Sequence, residues 1–146
     1  MQLIAPSAMP RIIIHSLDHA RAAIAAAADL KVAVTLASAP GAGAYAGPLW
    51  FKSVIELAVR DHAELSVTAI LDCADEPGTV LAALRAGLKQ LRFTGPAAIR
   101  ERLAGIAAQL GASIEGGDPP KALDLLGARD PLAACRRFLA GNQSRD

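Results

Sequence analysis

Short aliphatic runs alternate along this chain with stretches whose apolar residues recur every three or four positions, and Ser, Asp, Pro and Gly mark the changeovers. Arg11-Ile-Ile-Ile-His15 is a β-branched run that predicts a strand, followed by Ser16, a residue suited to start a helix. Leu17 to Leu30 then places Leu17, Ala20, Ile24, Ala27 and Ala28 on one helical face. Val32 to Ala37 reads as a second, fully buried strand, and the Gly- and Pro-containing segment Ser38 to Ala44 as a loop. A helix from about Tyr45 to His62 turns Val54, Ile55, Ala58 and Val59 towards a core. Ser66 to Leu71 is a third strand. Asp75, Glu76 and Pro77 open the next helix, which carries Val80, Leu81 and Leu84 and closes at Gly87. Lys89 to Thr94 is a fourth strand, stopped by Gly95-Pro96. Ile99, Leu103, Ile106, Ala107 and Leu110 form the clearest amphipathic stripe, closed by Gly111. Ala112 to Glu115 is a brief fifth strand. Pro119 to Leu126 and Pro131 to Leu139 read as two short terminal helices, each opened by Asp-Pro and closed by Gly127 and Gly141.

Five strands alternating with helices imply an α/β fold with a parallel sheet and right-handed crossovers. The apolar strands fit burial on both faces. The chain of 146 residues, with no internal linker, reads as a single α/β domain over 1–146. Two closures are open to such a chain: an open, doubly wound sheet of the flavodoxin kind, or part of a (βα)8 barrel with exposed edges. The open flavodoxin-like sheet suits a chain this short.

Composition narrows the function classes. Charged residues are 20% and hydrophobic residues 53% of the chain, which excludes disorder. A net charge of +1 with scattered arginines shows no basic face for nucleic acid or an anionic membrane, and 3% aromatic content argues against base stacking. No apolar run reaches the roughly 20 residues of a membrane span. Met1 to Pro10 lacks the basic-then-apolar order of a leader, so a cytoplasmic location is the default expectation. Cys73 and Cys135 stand alone, without metal-ligand spacing, and no metal or cofactor is expected.

In both closures ligands bind at the carboxyl ends of the strands. Those positions hold His15, Ser16, Asp18 and His19, then Ser38 to Gly43, then Asp72 and Cys73, Thr94 and Glu115. Ser16 and Asp75 read as helix caps and His19 as a solvated residue, whereas His15 is either a core histidine or a site residue. Asp72, directly after Ala69-Ile70-Leu71, is a candidate general base or metal ligand; alternatively it caps the following helix or pairs with Arg92. The loop containing Ser38, Gly41 and Gly43 leads from strand to helix, a context for phosphate binding, but lacks the lysine and hydroxyl of a P-loop. Lys31, Lys52, Lys89 and Lys121 sit at strand starts or on helices, away from a Schiff-base position, and no Gly-x-Ser-x-Gly elbow exists.

Leu36-Ala-Ser-Ala-Pro-Gly41, Ile70-Leu-Asp-Cys73, Ala82-Ala-Leu-Arg-Ala-Gly87 with Leu91-Arg-Phe-Thr-Gly95, and Ala112-Ser-Ile-Glu-Gly116 occur in that order. Together they resemble the first five βα units of the class II, zinc-dependent fructose- and tagatose-bisphosphate aldolases, over about Leu17 to Gly117. The resemblance implies that Asp72 stands at that family's catalytic acid and Cys73 at a zinc-binding histidine, while the family's later histidines and phosphate loops have no counterpart. It therefore implies a relative that kept the scaffold and lost the metal site. Ala-Leu-Arg-Ala-Gly87 with Thr94-Gly-Pro96 also resembles the end of a response-regulator receiver domain, with Gly95 where a lysine follows the threonine and Ala37-Ser38 where the phosphorylated aspartate belongs.

Three readings follow. The first is a non-catalytic or ligand-binding domain that self-associates as a homo-oligomer and takes a phosphorylated or anionic small molecule, with Ser38, Gly41, Gly43, Cys73, Arg92 and Thr94 as its candidate contacts. The second is a small lyase- or isomerase-like enzyme using Asp72 with His15 or Glu115. The third is a degenerate receiver-like interaction module.

Overall fold

The computed structural model describes residues 9–143. The reading of the N-terminal segment as carrying no leader falls, up to Ala8, outside the described residues. The strands are β1 (Arg11–Ile14), β2 (Val34–Ser38), β3 (Val67–Asp72), β4 (Gln90–Arg92), β5 (Ser113–Glu115) and β6 (Ala122–Asp124). The helices are α1 (Leu17–Leu30), α2 (Ala42–Tyr45), α3 (Pro48–Val59), α4 (Pro77–Arg85), α5 (Ala97–Gln109) and α6 (Pro131–Gln143). They make an α/β fold with a six-stranded parallel sheet, as the alternation of the sequence predicts.

The strand order is β5-β4-β3-β2-β1-β6. This corrects the preference for a flavodoxin-like arrangement, in which the first strand lies between the second and third. From β1 to β5 each crossover steps one strand in the same direction, so right-handed connections put their helices on one face, as in a barrel. The same order removes the receiver-like reading, which needs a 2-1-3-4-5 sheet. β6 lies beside β1, the place the last strand takes when a barrel closes, and β5 and β6 are the edges.

β6 is the second correction, because Pro119 to Leu126 is no helix. Ala122, Leu123 and Asp124 pair in parallel with Arg11, Ile12 and Ile13 of β1. Three residues are too few for a period to show, and the flanking prolines read equally as a helix start. Two smaller differences concern helices. Four residues of the glycine-rich loop coil into α2, and α6 runs through Gly141 rather than stopping there.

The described chain groups into two compact units. One takes the chain through Ala37, Val54–Thr68 and the segment from Pro120. In it α1 is set by its ends. The Ser16 hydroxyl accepts from the His19 amide at 3.1 Å, and Lys31 in the left-handed conformation donates its amide to Ala27 and Ala28 carbonyls. Between them Ala20, Ala23, Ile24, Ala26 and Ala27 are buried; four of the five are alanines, which let neighbouring backbones come close. α6 packs on α1 with Cys135 and Leu139 buried, and Arg136 reaches Asp29.

The other unit comprises Ser38–Ser53 and Ala69–Pro119. Two of its lysines cap helix ends: Lys52 Nζ donates to the Ala86 carbonyl at 2.8 Å and Lys89 Nζ to that of Leu110 at 2.7 Å. Each satisfies an orphan carbonyl and complements the dipole. α5 corrects the amphipathic reading. Leu103 and Ala107 are buried, but Ile99, Ile106 and Leu110 are exposed. α5 packs against β5 and α4, yet three of the five positions of the sequence stripe face away. Among the described residues no helix is long and apolar enough to cross a membrane.

Candidate functional site

The strand-end residues form two clusters, one in each unit, and both begin from the same local device. β3 ends in Leu71-Asp72 and β6 in Leu123-Asp124. In each case the aspartate Oδ1 accepts the amide two residues on, Ala74 at 2.8 Å and Leu126 at 2.9 Å. An acid at a strand end turns the chain by this short loop because its side chain replaces a backbone acceptor.

In the first cluster the sheet register supplies the rest. Asp72 pairs with Arg92, and Arg92 with Glu115, so an acid, a base and an acid stand in one row across β3, β4 and β5. Arg92, 6% exposed, spreads its donors over this row. Nε lies 3.6 Å from Asp72 Oδ2, Nη1 donates to Glu115 Oε1 at 2.8 Å, and Nη2 donates to the Gly117 carbonyl. Asp72 Oδ1 also accepts the Gly41 amide at 3.0 Å, and the Asp72 amide donates to Ser38 Oγ at 2.9 Å. Asp72, Ser38, Gly41, Arg92 and Glu115 thus come together, with every charge in the row facing a partner. Thr94 stands apart: it is exposed and joins only through its amide, which donates to the Ala74 carbonyl at 2.8 Å.

The glycines of the Ser38 loop have structural causes. Gly41 has φ +73°, the left-handed region that disfavours a side chain. A Cβ at Gly43 would stand 2.8 Å from Thr79 Cγ2 and 3.0 Å from the Asp72 carbonyl oxygen, so this position must be bare. The amides of Gly41, Ala42 and Ala44 are committed to Asp72 Oδ1, the Ala39 carbonyl and the Gly41 carbonyl. They are not aimed at a ligand.

The zinc ion of the resembling aldolases does not fit these residues. Cys73 is fully buried, and its Sγ lies 3.8 Å from the Leu71 carbonyl. Burial, with the Asp72 charge adding to it, pushes its thiol up to about 12, so it stays protonated and is a poor ligand. Asp72 already spends one oxygen on two amides. Among the described residues no three His, Cys, Asp or Glu side chains are placed to hold a metal ion.

The second cluster is a histidine pair with one acid. His15 Nε2 is 2.6 Å from Asp124 Oδ1. His19 Nδ1 accepts the His15 amide at 3.1 Å, and the two rings meet edge to face with centroids 5.8 Å apart. That bond fixes His19 as the tautomer with its proton on Nε2. Burial, and then the neighbouring His15, hold the His19 imidazole below its ordinary value, against the pull of Asp124 and Asp18. For Asp124 burial alone would raise the carboxyl, but the Leu126 amide, the His15 hydrogen bond and the charges of both histidines outweigh it and hold it low. His15 thus stands with Asp124. Sequence reasoning missed Asp124 by assigning its segment to a helix; the signal was there in the Leu-Asp ending that repeats Leu71-Asp72.

No family model matches the chain, and no curated protein matches it. Among solved structures it is similar to a protein assigned as a fructose-1,6-biphosphate aldolase from Coccidioides immitis, with a TM-score of 0.58 and 18% identity over 87% of this chain and 52% of that one. It is also similar to a protein assigned as a tagatose 6 phosphate kinase from Sinorhizobium meliloti, with a TM-score of 0.57 and 17% identity over 93% of this chain and 45% of that one. The chain spans about half the length of each. At these identities the likeness is one of fold, and it agrees with the sequential strand order: the chain has the fold of part of an aldolase-type barrel.

Proposed function

We propose that this chain is a non-catalytic α/β domain that binds a phosphorylated or otherwise anionic small molecule, and that its Asp72 row holds the fold together where the resembling aldolases carry out metal chemistry. One observation carries the first half: Asp72 is occupied by the Gly41 and Ala74 amides and faces Arg92, which in turn is held by Glu115 and Gly117. One oxygen of this carboxylate is spent on two amides and the other faces the Arg92 guanidinium at 3.6 Å, and moving it would take one of two carboxylates from a buried cation. The ligand class is supported by the names of the two structural neighbours, each of which refers to a phosphorylated sugar. The test combines metal analysis of the purified chain, an aldol-cleavage assay with fructose 1,6-bisphosphate, and thermal shift with sugar phosphates. Substoichiometric zinc, no turnover and a saturable rise in Tm are expected. Stoichiometric zinc together with turnover would overturn the reading.

A second reading, a small lyase or isomerase, is favoured by the 2.6 Å contact between His15 Nε2 and Asp124. A carboxylate that holds one ring nitrogen orients the imidazole, as a general base requires. In this reading the proton-transfer group is His15 with Asp124, not Asp72. Turnover of any hydroxy-carbonyl substrate that is abolished in Asp124→Asn but kept in Asp72→Asn would establish it.

A further inference from the structure

A cleft of about 320 Å³ opens within the first unit, between α1 and the end of α3. Its floor is Ala25, Leu57 and Ala58, and its charged wall is Arg21 from α1 with Arg60 and Asp61 from the turn after α3. His62 completes the lining, with Nδ1 3.7 Å from Glu64 Oε1. The volume is at the lower end of pockets that hold small metabolites.

Several of the other arginines are already engaged. Arg92 is held by Asp72, Glu115 and Gly117, Arg136 by Asp29, and Arg85 Nε by the Leu81 carbonyl. The Arg21 and Arg60 side chains, like those of Arg100, Arg102, Arg129 and Arg137, make no hydrogen bond or ion pair with a described residue; what sets the two apart is that they line one cleft. Arg21 and Arg60 come from separate elements and line one concavity, so an anion bound there is drawn to both charges. Their planar forks match the oxygens of a phosphate or carboxylate in bidentate fashion. Asp61 repels an anion but accepts hydroxyl hydrogens, and the Ala25, Leu57 and Ala58 floor suits a short carbon skeleton.

We propose that this cleft is the small-molecule site of the chain, taking a phosphorylated polyol or sugar with its phosphate on Arg21 and Arg60 and its hydroxyls on Asp61. The inference rests on the reading of the chain as a binder of anionic small molecules. It places the binding on the helices, away from the Ser38 loop, whose amides are committed.

Isothermal titration with inorganic phosphate and with fructose 1,6-bisphosphate, in about 150 mM NaCl so that loose surface attraction is screened, tests it. Saturable binding of the sugar phosphate by the wild-type chain is expected. It should weaken by about tenfold or more in Arg21→Ala and in Arg60→Ala, the loss expected for a charge-assisted fork, with unchanged circular dichroism. Arg102→Ala, an exposed arginine on α5, should bind as the wild type does. Asp61→Asn should weaken the sugar phosphate and leave inorganic phosphate unweakened. Binding that survives in both Arg21→Ala and Arg60→Ala overturns the cleft and leaves the chain a binder with its site elsewhere. An equal loss in Arg102→Ala, or no binding by the wild type, overturns the cleft as well. The non-catalytic reading is judged separately by zinc content and turnover.

Discussion

Replacing Arg92 by Met separates a structural row from a catalytic one. Methionine keeps much of the length of the stem and stays apolar, so what is lost is the guanidinium. Asp72 and Glu115 then face the same gap with no cation between them, their side chains only 14% and 23% exposed. Breaking a buried ion pair by removing one partner costs about 3–5 kcal/mol. Asp72 keeps its two amide donors, and Glu115 can regain some water, so the lower end, about 3 kcal/mol, is expected. With a urea m-value of about 1–3 kcal/mol/M the midpoint should fall by roughly 1–3 M at constant m. Glu115→Gln retains an acceptor for Nη1 and should cost about 1 kcal/mol. The double variant should be less destabilised than the sum, by about 1–2 kcal/mol, because Glu115 no longer needs the cation. Equilibrium unfolding followed by circular dichroism gives all three values. A site kept strained for chemistry gains stability when its charges are removed, so Arg92→Met variants as stable as the wild type, or more so, would refute the structural account of the row.

Four further outcomes follow from the same geometry. Burial pushes the thiols of Cys73 and Cys135 up to about 12 and about 11, so neither should react with a disulfide reagent at pH 8 until the chain is unfolded; rapid labelling of the native protein would contradict this. Ser16→Ala removes the α1 cap and should cost about 1 kcal/mol, with faster amide exchange concentrated in the first turn. The His19 imidazole is held low, so its contribution to stability is complete above its ordinary value near 6.5 and is lost as pH falls below it. His19→Asn, which offers the His15 amide an acceptor without titrating, should flatten urea midpoints between pH 7.5 and about 5.5; an unaltered slope would reject the assignment. Asp124 is also held low, so its contribution is present above the ordinary carboxylate value and disappears at lower pH, and Asp124→Asn should remove that acid-side loss.

The alternation of strands and helices was legible because burial imposes different periods on the two. α1 is the clearest case: a β-branched strand before it, a hydroxyl cap at Ser16 and an alanine face led to bounds of Leu17 and Leu30, which the structure shares. Strand order was not legible. Val34 to Ser38 is buried at every position whether its neighbours are β1 and β3 or any other pair of strands, since a central parallel strand is apolar on both faces. α5 shows the opposite failure. Its five apolar positions were real, but only Leu103 and Ala107 met a neighbour, because a period reports which residues share a face and not whether anything covers it.

The site residues follow a similar division. Asp72 and Arg92 were paired as one reading of the sequence, yet the decisive third member, Glu115, became visible only through register, since Arg92 lies opposite both acids and no spacing along the chain encodes that. A row of this kind depends on β3, β4 and β5 ending level. Were β5 displaced by one residue, Glu115 would turn to the other face of the sheet and Arg92 would face Asp72 alone. The position of Asp72 at a strand end therefore identifies a place where chemistry is possible in such folds, but the neighbouring register decides whether the carboxylate is available. Here Arg92 and two amides take it, and the imidazole of His15, which shares its own carboxylate with one amide, is the better exposed acid–base pair of the two clusters.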